Sequence, residues 1–209
     1  MPRTMRVHLF ALASAIAALL VVALPAFATP DPLTTARDAS VALNDQASAQ
    51  AAGYSLLTDK DGIACIDQPG QGAMGIHYVN GALVQGGTID PARPQAAVYE
   101  VEGRSLRLVA LEYVVLKAGW DATHGGPPTL FGEQFMTTPD GNRFGLPAFY
   151  SLHAWIWKHN PSGLFNMWNP TVSCSLFHPT GAGDPMDQDM SAHTIVPTDS
   201  TISEVDPPQ

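Results

Sequence analysis

The stretch SLRLVALEYVVLK, residues 105–117, decides how this chain folds and where its chemistry can sit. It is rich in β-branched and aromatic residues and holds no glycine or proline, so it reads as one long strand. Strand side chains alternate between faces. Regular alternation puts Arg107, Val109, Leu111, Tyr113, Val115 and Lys117 on one face, and Leu106, Leu108, Ala110, Glu112, Val114 and Leu116 on the other. The two basic residues mark the first face as the one whose ends reach water. Glu112 is then the single charge on an apolar face. An isolated buried carboxylate is too costly to keep, so Glu112 must be paired, protonated or bound to a cation.

Two other strand-like runs offer partners. In MGIHYVN (74–80), His77 shares a face with Gly75 and Val79, and in SLHAWIWKHNPSG (151–163), His153 shares one with Ser151, Trp155 and Trp157. If the three strands line one cavity, two imidazoles and a carboxylate converge. That set matches the 2-His-1-carboxylate arrangement that holds one divalent metal with open positions, and zinc, copper, manganese and iron all suit it. His124, in a glycine- and proline-rich loop over 118–141, is a possible fourth ligand, whereas His159 lies too far along the strand to join. The rival reading is structural: His77, Glu112 and His153 hydrogen-bond only to one another, to tyrosines or to backbone. No local signature such as H-E-x-x-H fixes the ligands.

The aromatics form a second cluster. Trp155, Trp157 and Trp168, with Tyr113, either build the core or line a cavity for an unknown small molecule. That cavity, or an exposed aromatic patch, is what a non-enzymatic binding module would use. Other chemistries have no support: there is no G-x-S-x-G elbow, no phosphate-cradling glycine loop and no C-x-x-C-H.

The chain's start sets the compartment. Arg3 and Arg6 precede an apolar run ending in Ala26-Phe27-Ala28, the pattern of a signal peptide over residues 1–28. Cys65 and Cys174 then meet an oxidising environment and read as one disulfide; neither has the C-x-x-C or C-x-x-H neighbour expected of a metal ligand. Cleavage removes two of 10 basic residues and leaves 8 against 19 acidic, a net charge of −11 compared with −9 for the whole chain. With no basic run, nucleic acid and anionic membrane are poor partners, and no membrane association is expected after cleavage.

Between these ends, residues 29–179 read as one globular domain. An alanine-rich helix is expected over 31–52, with Leu33, Ala36, Ser40, Leu43, Ala47 and Ala51 as its apolar stripe. Strands are expected at 74–79, 82–85, 96–102, 105–117, 143–146, 149–158 and 172–177, separated by turn signals such as PDG and NPSG. Residues 180–209 hold six acidic and no basic side chains and read as a disordered acidic tail. The expected fold is α+β: an N-terminal helix on a curved antiparallel sheet or partial barrel, the alternative being an all-β barrel of cupin-like shape.

GAMGIHYVN (72–80), RLVALEYVV (107–115) and LHAWIWKHNPSGLFNMWNPTVSC (152–174) together resemble a family of secreted bacterial proteins without an assigned activity. The resemblance covers roughly residues 35–175. It implies that His77, Glu112, His153 and both cysteines belong to the pattern's main segments, and it implies no role for any of them.

Overall fold

The alanine-rich segment is helical, as its composition predicts, yet it is not one helix. In the computed structural model, which describes residues 30–177, α1 (Pro32–Ala39), a 3-10 turn (Val41–Asn44) and α2 (Gln46–Ala51) follow one another. Asp31 caps α1 by accepting from the Thr34 N–H, and Asp45 caps α2 by accepting from the Ser48 N–H. The break at Ser40 shifts the helical phase. Ala36, Ser40, Leu43 and Ala49 are buried, whereas Ala47 and Ala51 of the expected stripe are exposed. The expected signal peptide and acidic tail lie outside the described residues. Among those residues, no helix is long and apolar enough to cross a membrane.

Seven strands form one antiparallel sheet: β1 (Ser55–Leu56), β2 (Cys65–Gln68), β3 (Gly72–Val79), β4 (Ala96–Glu102), β5 (Ser105–Leu116), β8 (Met136–Thr138) and β9 (Phe149–Ala154). Their order is β1-β3-β4-β5-β9-β8, with β2 also on β3, and the ends do not meet. The fold is therefore α+β with an open sheet, and the closed barrel is not formed. A separate ribbon pairs β6 (Thr129–Leu130) with β7 (Glu133–Gln134), and α3 (Gly81–Gly86) and α4 (Lys117–Asp121) complete the set.

One sheet face packs on the N-terminal helices through Ile76, Tyr78, Tyr99, Leu108, Leu111, Tyr113 and Leu152. Buried tyrosines bind this layer together: Tyr99 donates to the Leu43 carbonyl at 2.7 Å and Tyr54 to that of Pro94 at 2.6 Å. The opposite face is covered at one end by the C-terminal segment, with Val172 against Ala73, Val98, Val109, Ala110 and Trp155. Asn169 and Ala73 exchange backbone hydrogen bonds at 3.1 and 3.2 Å. Gly72 makes that contact possible, since a Cβ there would lie 2.1 Å from the Asn169 carbonyl oxygen. The Cys65–Cys174 disulfide, expected from the sequence, ties β2 to the same segment.

Regular alternation fails along β5. Val98 pairs with Ala110 and Tyr99 with Leu108, which leaves Val109 as an extra, bulged residue. Its carbonyl accepts from the backbone N–H groups of Trp157 and Lys158 at 3.3 and 3.1 Å. The bulge exchanges the faces, so Leu106 and Leu108 join Leu111, Tyr113 and Val115 against the helices. Glu112 keeps company with Ala110 on the opposite face, not with Leu106 and Leu108 as plain alternation predicts.

Other local expectations change too. Residues 82–85 lie in α3, because the Asn80 side chain caps it and Gly87 ends it with φ +63°. Residues 143–146 form a turn organised by the Asn142 side chain, which accepts from the Phe144 and Leu146 N–H groups. The strand expected to reach residue 158 stops at Ala154, where the chain leaves to meet Val109, and 172–177 is turn rather than strand. The segment expected as a loop over 118–141 carries most of α4 and all of β6, β7 and β8.

Candidate metal centre

His77 stands on β3 across from Val98 of β4, which in turn faces Ala110 of β5. Glu112, two residues past Ala110, faces Ala96 on one side and His153 of β9 on the other. Directly paired residues share a face, so all these side chains rise from the same surface. Between the two histidines lie three inter-strand steps, about 14 Å. Ala96, Val98 and Ala110 carry the small side chains of that interval, and the imidazoles extend over them. Gly75 brings β3 close to β4: its φ is +102°, and a Cβ there would lie 2.5 Å from the Tyr99 carbonyl oxygen.

The three side chains meet. Nε2 of His77 lies 3.2 Å from Nε2 of His153 and 3.5 Å from Oε2 of Glu112, while Nδ1 of His153 lies 3.6 Å from Oε1 of Glu112. One ligand atom from each falls within 4.8 Å of the other two. Two tetrahedral ligands of zinc sit about 3.3 Å apart, given metal–ligand distances of about 2.0–2.1 Å. The two contacts of His77 Nε2, at 3.2 and 3.5 Å, match that spacing, while the 3.6 Å contact runs through the other nitrogen of His153 and the other carboxylate oxygen; the side chains converge, and the group could hold a metal ion.

As a purely hydrogen-bonded cluster the group is incomplete. Among the three side chains only the His–His contact has hydrogen-bond length; 3.5 and 3.6 Å to the carboxylate are too long, and Glu112 turns to the Ser151 hydroxyl. Nδ1 of His77 is buried without a well-formed hydrogen bond, the Gly75 backbone giving it only a minor interaction. Each neutral imidazole owns one N–H, so the facing Nε2 atoms share a single proton and the other ring positions must look elsewhere. An ion between them would take the place of that proton.

Burial sets the charge state. It pushes both imidazoles down to about 4, His77 with an opposing pull from Glu112, so both are neutral at pH 7 and able to bind metal. Burial also raises the Glu112 pKa, opposed by His77 and by the Ser151 hydroxyl. Ser151 shares the His153 face, and that parity was the only sequence signal for it.

The other expected site residues go elsewhere. His124 stacks on Trp120 at 3.7 Å between ring centroids and is exposed, outside the three-residue group. Tyr113 is fully buried on the helix-facing side, donating to the Pro91 carbonyl at 2.8 Å. Trp155, 2% exposed, lies beside the centre with its ring 6.3 Å from that of His153. It also lines a groove of about 420 Å³ with Trp157, Leu33, Arg37 and Leu164. The Arg37 guanidinium covers the Trp157 ring at 4.3 Å. Trp168 is half-buried and outside that groove, so the four aromatics do not form one cavity. Asn160 and Asn169, from the two Asn-Pro turns, are buried and hold turn backbone.

Compared with known proteins, the chain matches no family model, no curated protein and no solved structure.

Proposed function

We propose that this protein is an exported domain that binds one divalent transition metal through His77, Glu112 and His153. The observation that carries the reading is the convergence of two neutral imidazoles and a carboxylate, one ligand atom of each within 4.8 Å of the others, with no Lys or Arg beside the carboxylate among the described residues. Two nitrogens and an oxygen suit zinc, copper, manganese or iron. Three protein ligands leave positions open, so a bound ion could polarise a substrate or activate water or dioxygen. Export follows from the signal-peptide pattern and agrees with the disulfide.

Elemental analysis of mature protein, purified without chelators or nickel affinity, tests the reading beside Glu112→Ala. Near-stoichiometric metal in the parent, lost in the variant, supports it. A parent that is metal-free, and stays so when titrated with zinc, copper, manganese and iron, removes it.

A second reading draws on the Trp155–Trp157 groove, whose volume suits a small ligand. Here the protein is a non-enzymatic binding module and the histidines are core residues. Quenching of tryptophan fluorescence by a small aromatic carboxylate, abolished by Trp157→Ala in a metal-free protein, would favour it.

A further inference from the structure

We infer that the open positions of an ion held by His77, Glu112 and His153 admit only water-sized ligands, such as water, hydroxide, dioxygen or a small anion, and no organic substrate. This rests on the metal reading above and concerns what can reach the ion.

Exposure decides it. His77 and His153 are each 3% exposed, while the Glu112 side chain keeps 12%. Both imidazoles are walled in, and the carboxylate is the one ligand with appreciable access to solvent. The floor is shut, since Ala96, Val98 and Ala110 are fully buried. Val114 and Ser151, paired across β5 and β9, are 8% and 4% exposed and close the flank beyond Glu112 and His153. Trp155 closes the opposite flank, beside the His153 ring.

An organic substrate needs a hollow of about 300–1,000 Å³ around its reacting atoms. The groove of about 420 Å³ lies between α1 and residues 155–159, and none of the three ligands lines it. Of the three ligand residues only Glu112 keeps appreciable contact with solvent, so the approach to the ion runs past its carboxylate. On this inference a bulky ester or peptide does not reach the ion, because both imidazoles are walled in. What fits is chemistry on a di- or triatomic species, or holding the ion itself.

The test uses full-length mature protein loaded with cobalt(II), whose visible bands report the coordination sphere. One cobalt per chain is established first; failure at that step removes the metal reading, and this inference with it, before any ligand is added. Azide, acetohydroxamate and 1-methylimidazole are then titrated separately. Azide is expected to shift the bands saturably, and the two larger ligands to leave them unchanged at 100 times the azide half-saturation concentration. A shift by either larger ligand at concentrations comparable to azide overturns the inference. So does a loaded protein whose bands azide cannot move, because its ion would have no reachable position.

Discussion

Two carboxylates stand on the same face of the sheet and meet opposite fates. Glu100 of β4 is bound on both oxygens: Arg107 donates to Oε1 from Nη2 at 2.6 Å and from Nε at 3.2 Å, and Lys158 donates to Oε2 at 2.5 Å. Glu112 of β5 meets no charged partner, only two neutral imidazoles at 3.5 and 3.6 Å and the Ser151 hydroxyl. Val98, Val109, Ala110 and Trp155 form an apolar plug between them. A buried carboxylate needs a compensating charge. Glu100 has its own within the chain, while Glu112 stands where a cation from outside would complete it. The first is built for stability and the second for binding.

Substitutions can break or sharpen that contrast. The largest effect is expected from Glu112→Gln, which should weaken zinc binding by more than about 100-fold, beyond the usual cost of an outer-shell partner. Metal-free stability should stay equal or rise, because a raised pKa marks a carboxylate whose charge the folded state disfavours. Competition with a chromogenic chelator and urea denaturation read the two halves. A fall in metal-free stability with unchanged zinc affinity would reverse the assignment.

Glu100→Gln should do the opposite. Zinc affinity holds, while stability drops by about 2 kcal/mol, less than for a fully buried pair because Arg107 is 44% exposed. Urea midpoints would show the loss.

The pH dependence of the metal-free protein comes next. His77 and His153 are held near 4 when folded and return to about 6.5 when unfolded. Between those values the unfolded chain binds the extra protons, so their contribution is whole above pH 6.5 and is lost progressively towards pH 4. Glu112 works the other way: its raised pKa returns some stability as pH falls through the folded value. Urea midpoints from pH 7.5 to 4 should therefore decline, and His153→Gln should flatten the slope.

The smallest expected effect is Ser151→Ala. Loss of the hydroxyl that favours ionised Glu112 should weaken zinc binding about threefold to tenfold, with the disulfide and fold intact. An unchanged affinity would place Ser151 outside the site.

Much of this contrast was legible in the sequence. Glu112, His77 and His153 stand out because each is a polar residue in an apolar strand, and parity alone sets each against its neighbours. Which apolar residues Glu112 accompanies was not legible. The Val109 bulge depends on the register of β4 and on the returning 157–158 backbone, neither of which is local to SLRLVALEYVVLK. The same holds for Glu100, whose partners Arg107 and Lys158 come from the hairpin and from the chain beyond β9. Short elements failed where capping decided between mixed propensities: Val84 leans to strand and Leu83 to helix, and Asn80 with Gly87 decides for helix. The tryptophans are neighbours in sequence, but the turn after Ala154 sends Trp157 to α1 and leaves Trp155 beside the centre.

X-ray absorption at the zinc edge of the zinc-loaded protein tests the central claim most directly. Two imidazole nitrogens and one carboxylate oxygen should appear at about 2.0–2.2 Å, with remaining positions filled by light atoms from solvent. A first shell without imidazole, or one containing sulfur, would contradict the assignment to His77, Glu112 and His153.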